Sequence, residues 1–399
     1  MAAVIAALLP LLCGGTALAA DAKTTFEIYG FAQADAIYDV DRLDPDWDDA
    51  FRPSKIPTVP GLYGSNGQSS LSVKQSRFGV KGTMPTGASS QPLNFKFEFD
   101  LFGTGADAGQ TTFRLRHAYG EWGQWLAGQT NSLFMDGDVF PNTIDYWGPA
   151  GMVFYRNVQI RYTPYRAGGT TFALAIERPG NDIDVGRIRQ FDPALGDRIQ
   201  NDEALPDLTL QWRTEGDWGH LQVAGILRRV GAEITPAPLP APQSVQTVSD
   251  TGYGVNVGSH FNVLQGSAVR LQLVYGEGIA SYMNDGGTDL APAVAPGSAA
   301  LRAEAVETIG LVAYYDHRWN QRFTSSIGYS FNDQKNTNFQ SGTAMDKLQY
   351  ASANLLYTPA ENLLTGIELL WGDRQDKSGA SGSASRVQVT IKYNFGTSL

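Results

Sequence analysis

RVQVTIKYNF, residues 386–395, decides how this chain is read. Val387, Val389, Ile391, Tyr393 and Phe395 fall on one parity, and Arg386, Gln388, Thr390, Lys392 and Asn394 on the other. A period of two over ten residues is a β-strand with one apolar and one polar face. In a soluble sandwich the apolar face would be core; in a barrel held in lipid it meets hydrocarbon while the polar face lines a lumen. Working back along the chain, the same alternation sets Phe95, Phe97, Phe99 and Leu101 against Lys96, Glu98 and Asp100. It sets Phe113, Leu115, His117 and Tyr119 against Arg114 and Arg116, and Leu208, Leu210 and Trp212 against Gln211 and Arg213.

Sixteen such segments are expected, at 24–37, 71–82, 92–102, 111–121, 124–130, 152–163, 170–178, 207–214, 218–230, 251–262, 266–276, 307–318, 321–332, 347–357, 362–372 and 385–395. Their connections alternate long and short: 38–70 is long and 83–91 short, 131–151 long and 164–169 short, 277–306 long and 319–320 tight, with 373–384 as the last long one. A closed barrel with short periplasmic turns and long outer loops produces that rhythm. The fold expected is therefore all-β, a 16-stranded antiparallel transmembrane β-barrel. An even count puts both ends of the chain on the periplasmic side. Aromatics beside the turns, Tyr162, Tyr165, Trp212, Trp218, Trp319, Phe323 and Tyr357 among them, suit interfacial girdles.

Composition agrees. Charged residues make up 18% of the chain, below the usual quarter, and Gly reaches 44 of 399 residues. Residues 2–12 read AAVIAALLPLL and lead to Ala17-Leu18-Ala19, an A-x-A cleavage site. Residues 1–19 are read as an export signal, although no Lys or Arg precedes the apolar run, and 20–399 as the barrel. The single cysteine, Cys13, lies in the signal, and Leu12 before it is a poor match for lipoprotein cleavage. A mature barrel without cysteine relies on closure rather than disulfides.

Function in such a chain rests on lumen width and wall charge. The net charge of −10 includes acidic loops and says nothing about a constriction. On the lumen parity lie Lys96, Arg114, Arg116, Arg161, Arg213, Arg228, Arg270, Arg386 and Lys392, facing fewer acidic groups such as Glu98, Asp100 and Glu368. Guanidinium groups in a low-dielectric pore attract anions and hold carboxylates bidentately. Each arginine can equally brace an acidic loop, and both readings stand at this point. Arg77 and Arg156 have ambiguous parity. The third outer loop, NSLFMDGDVFPNTIDYWGPAG (131–151), carries Asp136, Asp138 and Asp145 among apolar and aromatic residues. A loop folded into the lumen as a constriction would account for both, and so would a loop packed at the mouth or against another subunit. Folded inward, its carboxylates would oppose Arg114, Arg116 and Arg161. No nucleophile elbow, zinc-protease helix or phosphate loop occurs, the four histidines form no metal-ligand pattern, and no cofactor or nucleic acid is implied. The expectation is passive diffusion of small hydrophilic solutes, anions such as carboxylates preferred. The alternative is a barrel that binds a surface partner through its long loops, as an adhesin would.

FEIYGFAQADAIYDV (26–40) resembles the opening strand of DcaP-like outer-membrane porins, and KQSRFGVKG (74–82) resembles their second strand. GQTNSLFMD (128–136) is similar to the passage into their constriction loop, and NVQIRYTP (157–164) to the strand that follows. The resemblance spans nearly all of the chain after the signal. It implies residence in a Gram-negative outer membrane, assembly as a homotrimer, and a channel favouring negatively charged solutes, dicarboxylates included. Some members carry a helical coiled coil before the barrel. Here only Asp21-Ala22-Lys23 separates signal from first strand, so a trimer would rest on barrel-wall contacts.

Overall fold

A computed structural model describes residues 24–87, 91–103, 111–235, 245–295, 297 and 300–398, so the signal read over 1–19 lies outside the described residues. The strands are β1 (Thr25–Asp39), β2 (Gln68–Ser72 and Arg77–Met84), β3 (Leu93–Asp100), β4 (Arg114–Trp122), β5 (Trp125–Asn131), β6 (Arg156–Ala167), β7 (Thr170–Glu177) and β8 (Asp207–Gly216). They continue as β9 (Gly219–Ile234), β10 (Gln246–Leu264), β11 (Ser267–Glu277), β12 (Glu307–Arg318), β13 (Phe323–Lys335), β14 (Met345–Ala360), β15 (Leu363–Asp376) and β16 (Ser381–Ser398). Each pairs antiparallel with the next, and β16 returns to β1 in a ladder from Glu27↔Ser398 to Asp39↔Arg386. The result is a closed 16-stranded barrel with no free edge, and closure is what lets the backbone of a sheet be satisfied in hydrocarbon. The first and last described strand residues, Thr25 and Ser398, sit on the side of the short turns.

Alternation fixes which way each side chain points. Val158 and Ile160 on β6, Leu208 and Leu210 on β8, Leu271 and Leu273 on β11, and Val389 and Ile391 on β16 are exposed on the outer wall. Asn256, Asn332, Glu368 and Gln388 are buried inside. Aromatic pairs ring the short-turn end, Trp125 with Tyr162 at 4.6 Å and Phe323 with Tyr357 at 4.6 Å, while Tyr253, Tyr275 and Tyr329 stand at the other end.

Two boundaries differ from expectation. The last outer connection is the short stretch 377–380, because β15 and β16 stay paired out to Gln375↔Ser381 and turn through Gly379 at φ +86°. DRQDKSGASGSAS has loop composition, but ladder hydrogen bonds come from the backbone and need no apolar side chain. Residues 396–398, outside the expected final strand, continue it by pairing with Tyr29, Ile28 and Glu27.

The seam between first and last strands is locked from inside. Arg386 gives Nε to Asp39 Oδ1 at 2.6 Å and Nη2 to Oδ2 at 2.9 Å, with both side chains buried. Breaking a buried, bidentate pair leaves an uncompensated charge, so Arg386→Ala should cost about 3–5 kcal/mol of barrel stability. The expected result is a lower urea midpoint for loss of the folded gel-mobility form.

Candidate functional site: a cation-lined cavity beside the third loop

The segment joining β5 to β6, 132–155, runs through the lumen. Ser132 Oγ donates to Glu177 at 2.8 Å, and Phe134 enters a buried cluster with Ile226, Val274, Ile279 and Tyr282. Asn256 Nδ2 donates to the Phe134 carbonyl at 2.8 Å, and Gln222 Nε2 to that of Met135 at 3.0 Å. The inward positions of β10 on either side of Asn256 are accordingly bare: a Cβ on Gly258 would collide with the Asp136 carboxylate, and one on Gly254 would meet Phe134 and Ile279. Further on, Asn354 Nδ2 donates to Asn142 O at 2.7 Å, and Glu368 accepts the amides of Ile144 and Asp145. The loop therefore crosses from the β9–β11 wall to the β14–β15 wall.

The first and sixth outer segments hold it there. Arg52 lies between Trp47 and Trp147, 4.0 and 3.8 Å from the ring centroids, and pairs with Asp285 at 2.7 Å. The loop-3 backbone also pairs with the sixth segment, Phe154 N donating to Tyr282 O at 3.0 Å and Asn284 N to Met152 O at 2.8 Å.

On the opposite side of the loop, against β1–β4, β6 and β16, a cavity of about 460 Å³ remains. Its charged lining is Arg77, Lys96, Arg116, Arg156 and Lys392, with Glu98 and Asp145 as the carboxylates. Asp145 is turned into backbone. It accepts the amides of Phe51 at 2.8 Å, Trp147 at 2.9 Å and Gly148 at 3.2 Å. Burial pushes its carboxyl up to about 6 against the pull of Arg386 and those three donors. Glu98 is the carboxylate that meets the cations. It accepts from Tyr29 Oη at 2.8 Å and Arg116 Nε at 2.7 Å, with Lys96 Nζ at 3.2 Å and Arg77 Nε at 3.5 Å. Arg116 also bridges to Asp100 at 2.9 Å, which Arg114 holds from the rim at 2.6 Å.

The residues singled out in the sequence thus divide. Lys96, Glu98 and Arg116 line the cavity, with Arg114 at its edge. Arg161 is turned to its own wall, bonding Gln159 at 3.0 Å and the Asn131 carbonyl at 2.7 Å. Arg213 pairs with Asp138 at 2.6 Å, Glu215 at 3.0 Å and Asp136 at 3.5 Å. Arg270 holds Asp316 at 2.6 Å and the Asp138 carbonyl. Arg228 is a fully buried brace between Asp207 and Asp289, tying the outer segments to the wall. The expected opposition of Asp136, Asp138 and Asp145 to Arg114, Arg116 and Arg161 is not what the structure holds. Asp136 and Asp138 meet His220 and Arg213 instead, and the carboxylate partners of Arg114 and Arg116 come from the neighbouring strand β3, while from the loop itself Tyr146 Oη accepts from Arg116 Nη1 at 3.0 Å. Strand neighbours are fixed by the ladder, whereas the height at which a loop crosses is set by packing. Asp136, Asp138 and His220 offer ligand atoms within 4.8 Å of one another, but Arg213 already supplies positive charge to both carboxylates.

His117 corrects the parity reading. A β-bulge opposite Glu98 and Phe99 places Arg116 and His117 both inward, and His117 lines the cavity with Nδ1 3.0 Å from Thr130 Oγ1. Gln129, on the outer face, donates to Leu115 O at 3.0 Å and satisfies the strand there. Two consecutive polar residues in an otherwise alternating strand were the sequence's signal. Arg77 and Arg156, of ambiguous parity, both face the cavity. Arg77 follows the break in β2, and Arg156 is the first residue of β6 as the loop rejoins the wall.

The family model for the DcaP outer membrane protein matches residues 15–212. The outer membrane channel DcaP of Acinetobacter baumannii superimposes with a TM-score of 0.77 at 23% identity, over 94% of this chain and 99% of that one. The chain is a DcaP-like outer-membrane porin. It is a multi-pass protein of the outer membrane. More distant in sequence, an anion-selective porin from Comamonas acidovorans matches the DcaP-like porin with a TM-score of 0.54 at 11% identity, over 94% and 100% of the two chains. The trimer form of OmpT from Vibrio cholerae matches it with 0.54 at 11% identity, over 93% and 99%. These likenesses are likenesses of fold. No curated protein sequence matches the chain significantly.

Proposed function

We propose that this porin passes small hydrophilic solutes by passive diffusion and favours anions, small mono- and dicarboxylates among them, with loop 131–151 as its constriction. The observation that carries this is the charge of the cavity: Arg77, Lys96, Arg116, Arg156 and Lys392 face it, while the loop carboxylates are spent elsewhere. Guanidinium and ammonium groups behind a low-dielectric wall concentrate anions whatever the net charge of the whole chain. The Comamonas neighbour is named as anion-selective, and the resemblance to DcaP-like porins points the same way. Reversal potential of the purified porin in a planar bilayer under a potassium chloride gradient tests the reading. An anion-preferring potential is expected, and a cation-preferring one would overturn it.

The porin is also proposed to assemble as a homotrimer. The outer face of β1 is shallow at Ala32, Ala34 and Ala36, and Leu71, paired with Ala36, is strongly exposed. Such a wall suits close approach of a second copy, and one structural neighbour is a trimer form. The loop-binding alternative has less behind it, because the first, third and sixth outer segments engage one another inside the barrel.

A further inference from the structure

We propose that Glu98 is a built-in competitor for the permeating anion, and that Arg156 and Lys392 are the cations left free to hold it; this rests on the anion-favouring reading above. Glu98 carries the functional group of a carboxylate solute and already occupies the best-equipped position in the cavity. One carboxylate there meets Tyr29, Arg116, Lys96 and Arg77 at 2.7–3.5 Å, and His117 Nε2 at 3.9 Å. Its side chain is only 4% exposed, whereas those of Lys96 and Arg77 are 25% and 27% exposed. These cations therefore present a second side to the cavity while their first is engaged.

Arg156 and Lys392 differ. Among the described residues neither has a carboxylate within 4.0 Å. Arg156 Nη1 is buried without a hydrogen-bond partner, and its guanidinium rests 5.0 Å from the Phe154 ring. Lys392 Nζ lies 4.0 Å from the centroid of Phe31. A buried cationic donor without an acceptor is costly to leave unmade, and a passing carboxylate is the group that would complete it. A channel must also release what it attracts. A fixed carboxylate sharing the cluster makes the well for a mobile one shallower, so the solute is drawn to Arg156 and Lys392 without being trapped by all five cations.

The test is single-channel recording with succinate as probe, alongside reversal potentials in potassium chloride. Glu98→Gln keeps the shape and an acceptor for Tyr29 while removing the charge. It should lengthen succinate blockades on the order of tenfold, the equivalent of about 1.4 kcal/mol, and raise the anion preference. Arg156→Gln and Lys392→Gln should each shorten blockades and lower that preference. Glu98→Asp keeps the charge but withdraws it from the cluster, so it serves should Glu98→Gln fail to fold; it should lengthen blockades to a smaller degree. Wild-type anion selectivity together with unchanged or shorter blockades in the Glu98 variants would overturn the competitor role and leave the porin reading intact. A cation-selective wild type would overturn the reading beneath it.

Discussion

Arg116→Ala should move the reversal potential toward cations more than any other single change in the wall. Arg116 is the group that joins the two carboxylates of β3, giving Nε to Glu98 at 2.7 Å and Nη1 to Asp100 at 2.9 Å, with a further Nη1 bond to Tyr146 at 3.0 Å. Removing it takes a cation from the cavity and also leaves two nearly buried carboxylates short of neutralisation. Both effects favour cations. Losing one member of such a buried network costs about 3–5 kcal/mol, so the variant should also unfold at a lower urea concentration. Arg116→Lys restores charge without the planar fork that spans Glu98 and Asp100, and should recover selectivity only in part. If anion preference survives Arg116→Ala in folded channels, Arg116 is a brace and the selectivity resides in Arg77, Arg156 and Lys392. The pairing of Arg114 with the same Asp100 implies a weaker effect there, since Arg114 stands at the cavity edge.

Replacing residues 137–143 with a short Gly-Ser linker should raise single-channel conductance by about twofold or more, because channel conductance follows the width and lining of the narrowest zone. The segment carries Phe140 and Asn142 into the cavity lining and holds the loop to β12 and β14 through Asn142. The barrel wall does not depend on it, since each strand is paired by its neighbours, and folded mobility on gels should persist. Permeability to larger neutral sugars should rise in parallel. Unchanged conductance in the folded variant would place the narrowest point elsewhere, among the first and sixth outer segments joined by Arg52 and Asp285.

The candidate site was legible in part. Lys96, Glu98, Arg116 and Lys392 were found by parity alone, since a regular strand sends alternate residues to one side. His117 was lost to the bulge, which changes the parity of everything beyond it by one residue. Arg228 and Arg386 had the right parity but serve as internal braces: Arg386 meets Asp39 on the adjoining strand, and Arg228 meets Asp289, since an inward-pointing arginine reaches either open lumen or a loop carboxylate. Only the path of the outer segments tells these apart. The same ambiguity governs Asp136 and Asp138, whose partners, His220 and Arg213, lie far from them in sequence.

By itself, the sequence determined the barrel: RVQVTIKYNF and its counterparts fix strand, face and count, and the rhythm of long and short connections fixes closure. These follow from local geometry, the two-residue period of an extended chain and the absence of water in hydrocarbon, and need no knowledge of distant contacts. Tertiary structure alone decided where the cavity lies and which cations reach it. That outcome depends on how Phe134, Asp136 and Ile144 seat one loop across a wall of glycines and buried amides. Such packing among residues remote in sequence leaves no periodic trace in the chain.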